Sequence, residues 1–215
     1  MQRLDLFHGI ISFWIVRAVL LAGALLCSRG VQAGGVVTNC DWPSLQTALV
    51  GGGSVTFACE GTIIFPNSIF ITNNAFSIDT TLDASGHDVV LDGNQAVRHF
   101  VVTNGATLRL INLTLINGRF VGADGQTNQP GSPGRGGALY NSGGTLELVG
   151  CKFIDNSVMG GKGGPSICPP ACFGMSGGPA YGGAIYSTDG QLYATNCLFG
   201  DNQAVGNTAF ERSDS

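Results

Sequence analysis

The segments 136–156 and 182–202 repeat one another almost position for position. Each opens on Gly-Gly-Ala-(Leu/Ile)-Tyr and closes on Phe-x-x-Asn. A weaker copy lies upstream, from Phe100 to Asn117. All three carry one apolar ladder: Leu108, Leu110, Leu113 and Leu115; Leu146, Leu148, Cys151 and Phe153; Leu192, Ala194, Cys197 and Phe199. Side chains two apart share one face of a strand. Each ladder therefore reads as an inward pair, a three-residue step that turns a corner, and a second inward pair. A single coil of this kind cannot bury its own inner face, whereas stacked copies make a continuous apolar column.

The pattern predicts an all-β fold: a right-handed parallel β-helix, a single-stranded solenoid with coils over 61–205. Gly pairs at 136–137, 143–144 and 182–183 suit corners that need positive φ or close backbone approach. Asn156 and Asn202 recur at a corner, where stacked amides can bond one another and satisfy backbone groups. A helical solenoid is excluded by the wealth of Gly, Thr and Asn, which destabilises helices. Only 11% of the residues are charged and 44% are hydrophobic, which also excludes a disordered chain.

A short N-terminal capping helix is expected over Asp41–Leu49, with Asp41 as its cap, Pro43 near the start and Gly51-Gly-Gly53 closing it. It would cover the open edge of the first coil. The cap and first strand occupy 34–60. Two stretches break the period, near 119–135 and 159–181; they are rich in Gly, Pro and Ser and read as loop insertions at one corner, either a binding face or plain solvated loops. Residues 206–215 read as a short polar tail with no device like the helix, so self-association through the C-terminal coil, or a missing downstream coil, is expected.

Residues 1–33 read as a signal peptide. Arg3 and Arg17 flank its start, an apolar run spans Ala18 to Leu26, and Val31-Gln32-Ala33 is a peptidase site. An uncleaved anchor over Phe7–Leu26 is interrupted by Arg17, and a lipoprotein reading of Cys27 meets a bulky Leu26. After cleavage seven basic and thirteen acidic residues remain, a formal charge of −6. Nothing there neutralises phosphates, so no nucleic-acid partner is expected, and no transmembrane segment remains. Six mature cysteines suit an oxidising compartment. Cys40 and Cys59 are candidates to pair and pin the cap. Cys168 and Cys172 form a local disulfide candidate, since a metal site there would want two more ligands. Cys151 and Cys197 hold equivalent inward positions and read as a stacked apolar pair.

The Gly-Gly-Ala-(Leu/Ile)-Tyr segments followed by Phe-x-x-Asn resemble the repeats of chlamydial polymorphic outer membrane proteins. Ser44-Leu-Gln-Thr-Ala-Leu49, Ser54-Val-Thr-Phe57 and Gly61-Thr-Ile63 are similar to the capped start of many bacterial right-handed β-helix proteins. The resemblance covers most of 40–205. It implies export and a secreted, extracellular or cell-surface setting. The membrane barrel of the chlamydial proteins is absent from this sequence, so autotransport is not implied.

Right-handed β-helices also include pectate lyases and polygalacturonases, so catalysis has to be weighed. A lyase needs carboxylates converging on Ca²⁺ and a basic residue to take a sugar proton. The candidates are Asp79, Asp83, Asp88 and Asp92, with Arg98 or Arg109 as base. Against this, Asp83-Ala-Ser-Gly86 and Asp92-Gly93 are turn sequences in which Asp bonds its own backbone. The Asn-Thr-Asp, Asp-Asp and Arg-Ile-Lys motifs of polygalacturonases are missing, and Gly86-His-Asp88 only echoes their Gly-His-Gly. His87 lacks a positioned partner, and His99 sits beside a strand. The sequence therefore favours a non-enzymatic, adhesin-like β-helix that displays loops for recognition of carbohydrate or a host or cell-surface ligand, without cofactor. The alternative is a polysaccharide-active enzyme, or a fragment of one, using His87, Asp88, Asp92 and Arg98, with Ca²⁺ in the lyase case.

Overall fold

The computed structural model describes residues 34–72, 79–167 and 174–209. The expected signal peptide and the Cys168–Cys172 disulfide candidate lie outside them. The described residues are all-β with one short helix, and their strands lie in parallel sheets. The largest sheet runs β1 (Val36–Val37), β2 (Gly53–Phe57), β5 (Asp79–Asp83), β8 (Thr107–Ile111), β13 (Thr145–Val149) and β18 (Gln191–Thr195). A second runs β3 (Gly61–Ile64), β6 (Val89–Asp92), β9 (Leu113–Ile116), β14 (Lys152–Ile154) and β19 (Leu198–Gly200). A third holds β4 (Ile69–Thr72), β7 (Phe100–Thr103), β12 (Leu139–Ser142) and β17 (Ile185–Thr188). Two small sheets complete the set: β10 (Arg119–Val121), β15 (Ser157–Met159) and β20 (Gln203–Val205); and β11 (Gly134–Arg135) with β16 (Ala180–Tyr181). Every paired neighbour is parallel. The chain visits the sheets in one order on each pass, an arrangement compatible with a parallel β-solenoid.

The register stacks like on like. Leu108, Leu146 and Leu192 align across β8, β13 and β18, and Leu115, Phe153 and Phe199 align across β9, β14 and β19. The Phe153 and Phe199 rings stack 5.1 Å apart at 8°. The first two ladders are fully buried, Cys151 included. The third is not: Leu192 is 44% and Phe199 50% exposed, because β16–β20 are each the last strand of their sheet among the described residues. Outward positions alternate as the period demands, and Arg109 meets Glu147 at 3.7 Å across β8 and β13.

Helix α1 (Trp42–Ala48) stands at the other end. The Asp41 carboxylate accepts the Ser44 N–H at 2.9 Å, holding its pKa below the usual range, and Pro43 sits in the first turn, where it costs no helical hydrogen bond. Gly51, Gly52 and Gly53 all take positive φ and end the helix. Leu45 is fully buried, and Trp42 meets Phe65 edge-on at 5.0 Å. A disulfide joins Cys40 and Cys59 with Cα atoms 5.6 Å apart, pinning the helix approach to the loop after β2.

The two stretches read as loops are more ordered than that description. They contain β10, β11 and β16, the second begins at the last residue of β15, and between these strands the chain makes glycine-rich extended passes that bond one another. The pass 160–164 shows the rule. Gly160 and Gly163 donate their N–H groups to the carbonyls of Val205 and Thr208, whereas Gly161 and Gly164 donate to those of Ser132 and Gln129. The pass 122–128 donates to residues 159–165 at every third residue: Gly122 to Met159, Gly125 to Lys162, Asn128 to Pro165. A three-residue period is that of polyproline II, where glycine permits chains to touch. None of these glycines has positive φ; they are needed for contact. A Cβ on Gly161 would land on the Ala123 carbonyl oxygen, and one on Gly164 on that of Gln126. The result is a compact glycine lobe beside the coils.

Candidate functional site

The four residues of the enzymatic alternative do not converge. His87 and Asp88 lie in the turn before β6, where the His87 N–H donates to the Ala84 carbonyl at 3.0 Å. Asp92 ends β6, four residues beyond Asp88, which at strand rise is about 13 Å away. Its carboxylate accepts from the Asn94 N–H at 2.7 Å and from Asn117 Nδ2 at 3.1 Å, so it serves a turn. Asp83 does the same for the Ser85 N–H at 2.8 Å, and Asp79 accepts from the Thr107 N–H at 3.2 Å. Among the described residues no three His, Cys, Asp or Glu side chains are placed to hold a metal ion.

Arg98 is inside. Its Nε donates to the Gly136 carbonyl at 2.7 Å and its Nη2 to that of Arg135, while its guanidinium lies over Phe120 at 4.0 Å and Tyr140 at 5.0 Å. Only 7% of it is exposed. Burial lowers its pKa to about 10, which leaves it charged at neutral pH. It ties one coil to the return leg of the glycine lobe on the next. His99 is fully buried: Nε2–H donates to the Leu91 carbonyl at 3.0 Å, the ring meets Phe65 at 5.1 Å, and Nδ1 has no partner among the described residues. Burial pushes its pKa down to about 4, so the ring is neutral. Arg109, the other proposed base, is paired with Glu147.

Sequence reasoning did not single out the cleft that forms where β9, β14 and β19 turn into β10, β15 and β20. It has a volume of about 360 Å³ and is lined by Gln95, Asn117, Arg119, Asp155, Asp201 and Gln203, among others. That volume lies at the small end of ligand sites. Its polar rim is a consequence of the fold. Asn117, Asp155 and Asp201 hold the same corner position in three coils, all with φ between 52° and 55°. Asn and Asp tolerate this left-handed backbone best after Gly, and their carboxylates and amides consequently point outward in a column. At the next position stand Gly118, Asn156 and Asn202, and the side-chain amides of the two asparagines close the corner. The only sequence signal was the recurrence of Asp155 and Asp201 inside the repeat.

A second cluster lies across β11, β16 and β17. Arg135 and Tyr181 are register partners, and the Arg135 guanidinium sits 5.6 Å from the Tyr186 ring, which stacks on Tyr140 at 6.0 Å and 9°. No family model matches this chain, and no curated protein or solved structure is significantly similar to it. No helix of the described residues is long and apolar enough to cross a membrane.

Proposed function

We infer that this chain is an exported right-handed parallel β-helix that works at the cell surface or outside the cell by recognition, not by chemistry. The observation that carries the reading is the corner cleft. Successive coils present Asn117, Asp155 and Asp201 in one column, and Arg119, Ser157 and Gln203 in the next. Repeated planar amides, carboxylates and a guanidinium at coil spacing suit the hydroxyls of an extended glycan, with many modest hydrogen bonds and no single anchor. Of the residues in the enzymatic alternative, His87 and Asp88 lie in the turn before β6 and Arg98 is tied to backbone carbonyls inside, apart from this column. Right-handedness follows the strong preference of parallel crossovers. Export is supported by the leader-like composition of 1–33 and by the Cys40–Cys59 disulfide, which persists in oxidising compartments.

The test is a paired one on the full chain. Immobilised polysaccharides should retain it saturably, Gln203→Ala combined with Asp155→Ala should weaken retention about 10-fold, and pectin incubated with the protein and Ca²⁺ should release no unsaturated or reducing ends. Turnover abolished by Asp88→Asn would overturn the reading in favour of an enzyme.

A further inference from the structure

Among the described residues, Arg135 and Arg119 are the arginines whose side chains have no hydrogen bond or ion pair, and Arg119 lines the cleft. Arg98 donates to two carbonyls, and Arg109 faces Glu147. The Arg135 side chain makes no hydrogen bond or ion pair among the described residues. Its Nε is buried without a partner, and its guanidinium lies 5.6 Å from the Tyr186 ring. Nε itself is closed to solvent, so the donors open to an incoming acceptor are the two Nη amino groups of the guanidinium. The surroundings define what would fit. Tyr181, the register partner of Arg135, is 45% exposed and 6.1 Å from Tyr186 at a tilt of 42°. Tyr140 continues the column one coil back, parallel to Tyr186. Rings at several tilts offer flat apolar faces with hydroxyls at their rims.

We propose that Arg135, Tyr181 and Tyr186 form a binding site for a carboxylate-bearing sugar, a uronate residue of an acidic glycan. The guanidinium fork takes the carboxylate through two parallel N–H···O bonds, a geometry that lysine lacks. The tyrosine rings take the C–H face of the pyranose. One uronate residue, with a C–H face and one carboxylate, matches one guanidinium beside two rings, whereas an acidic peptide side chain would bring the carboxylate without a face for the rings. This assignment rests on the recognition reading above and names its ligand class; it uses residues separate from those lining the cleft.

Isothermal titration of the full chain with oligogalacturonate, with the same oligosaccharide after carboxyl reduction, and with a glutamate-rich peptide tests it. The acidic sugar should bind, carboxyl reduction should weaken it at least 10-fold, and Arg135→Gln should weaken the acidic sugar by a similar factor while leaving the reduced sugar unchanged. Arg135→Lys should recover only part of the affinity, Tyr181→Ala should cost several-fold, and Arg109→Gln should change nothing. Near-UV circular dichroism of each variant separates lost binding from lost folding. Equal binding of acidic and reduced sugars, full affinity in Arg135→Gln, or tighter binding of the peptide would overturn the proposal while leaving cleft recognition standing. Failure of both sugars to bind would count against both readings.

Discussion

The side-chain oxygen of Asn202 accepts two hydrogen bonds from Asn156, one from its backbone N–H at 3.0 Å and one from its Nδ2 at 2.9 Å. Asn156 in turn accepts the Gly118 N–H at 2.8 Å and donates to the Leu115 carbonyl at 3.1 Å. One amide per coil thus satisfies the corner backbone of the coil before it. Asn156→Leu keeps the bulk and removes every bond, orphaning a buried N–H and a buried carbonyl. A loss of about 3 kcal/mol in urea unfolding is expected; a loss under about 0.5 kcal/mol would show that the amide column is ornamental.

The inward ladder carries the stability. Phe153→Asp places an unpaired charge in the stack and should cost several kcal/mol. Glu147→Gln, on the outward side of β13 and half-exposed, should change stability by less than about 0.5 kcal/mol. Denaturant melts showing equal losses would contradict the face assignment.

Glycine in the lobe is there for contact. At ordinary negative φ, Gly→Ala normally stabilises a protein by about 0.4–1 kcal/mol. At Gly161 and Gly164 the opposite sign is expected, a loss of about 2 kcal/mol or more, because the methyl meets a neighbouring carbonyl. Gly200, where a Cβ meets nothing, is the control. A neutral Gly164→Ala would dissolve the close-packed lobe.

Stability should fall in mild acid because of His99. Its folded pKa of about 4 lies below the ordinary 6.5, so the unfolded chain binds a proton through that window while the folded chain does not. The contribution is present above about pH 6.5 and is lost as pH falls toward 4, a change of about 3 kcal/mol. His99→Gln should flatten the profile between these limits; an unchanged slope would place its origin elsewhere.

The last coil should be adhesive. Leu192, Phe199 and Val205 are about half exposed, on strands with one edge unpaired among the described residues. The full chain should sediment as an oligomer at micromolar concentration and Phe199→Lys should shift it toward monomer. Sedimentation as a monomer at every concentration would be the contrary result.

What the sequence reveals and conceals follows from distance along the chain. The inward ladder is legible because period-two alternation is local, and the helix at Trp42–Ala48 because its cap, proline and glycines are within a few residues of it. The lobe is not legible: Gly122, Gly125, Gly131 and Gly134 carry a three-residue period, but Gly and Pro are also the residues of plain loops. The cleft is hidden because the same Asn and Asp types are demanded by a left-handed corner, so their chemistry is masked by their backbone role. The Arg135–Tyr181 pairing depends on the register of β11 and β16, two-residue strands too short to leave a pattern.

The three-residue rule of the lobe constrains how such a protein can change. In an isolated surface loop, one codon gained or lost alters little. Here the 160–164 pass is bonded to legs on both sides, at 122–134 and 203–208. A single inserted residue rotates every following N–H by a third of a turn, away from its carbonyl. Tolerated length variants should therefore come in threes, and in matched legs of adjacent coils together. Indels in this lobe would be inherited like steps on a ratchet, coupling the mutational histories of segments far apart in the gene.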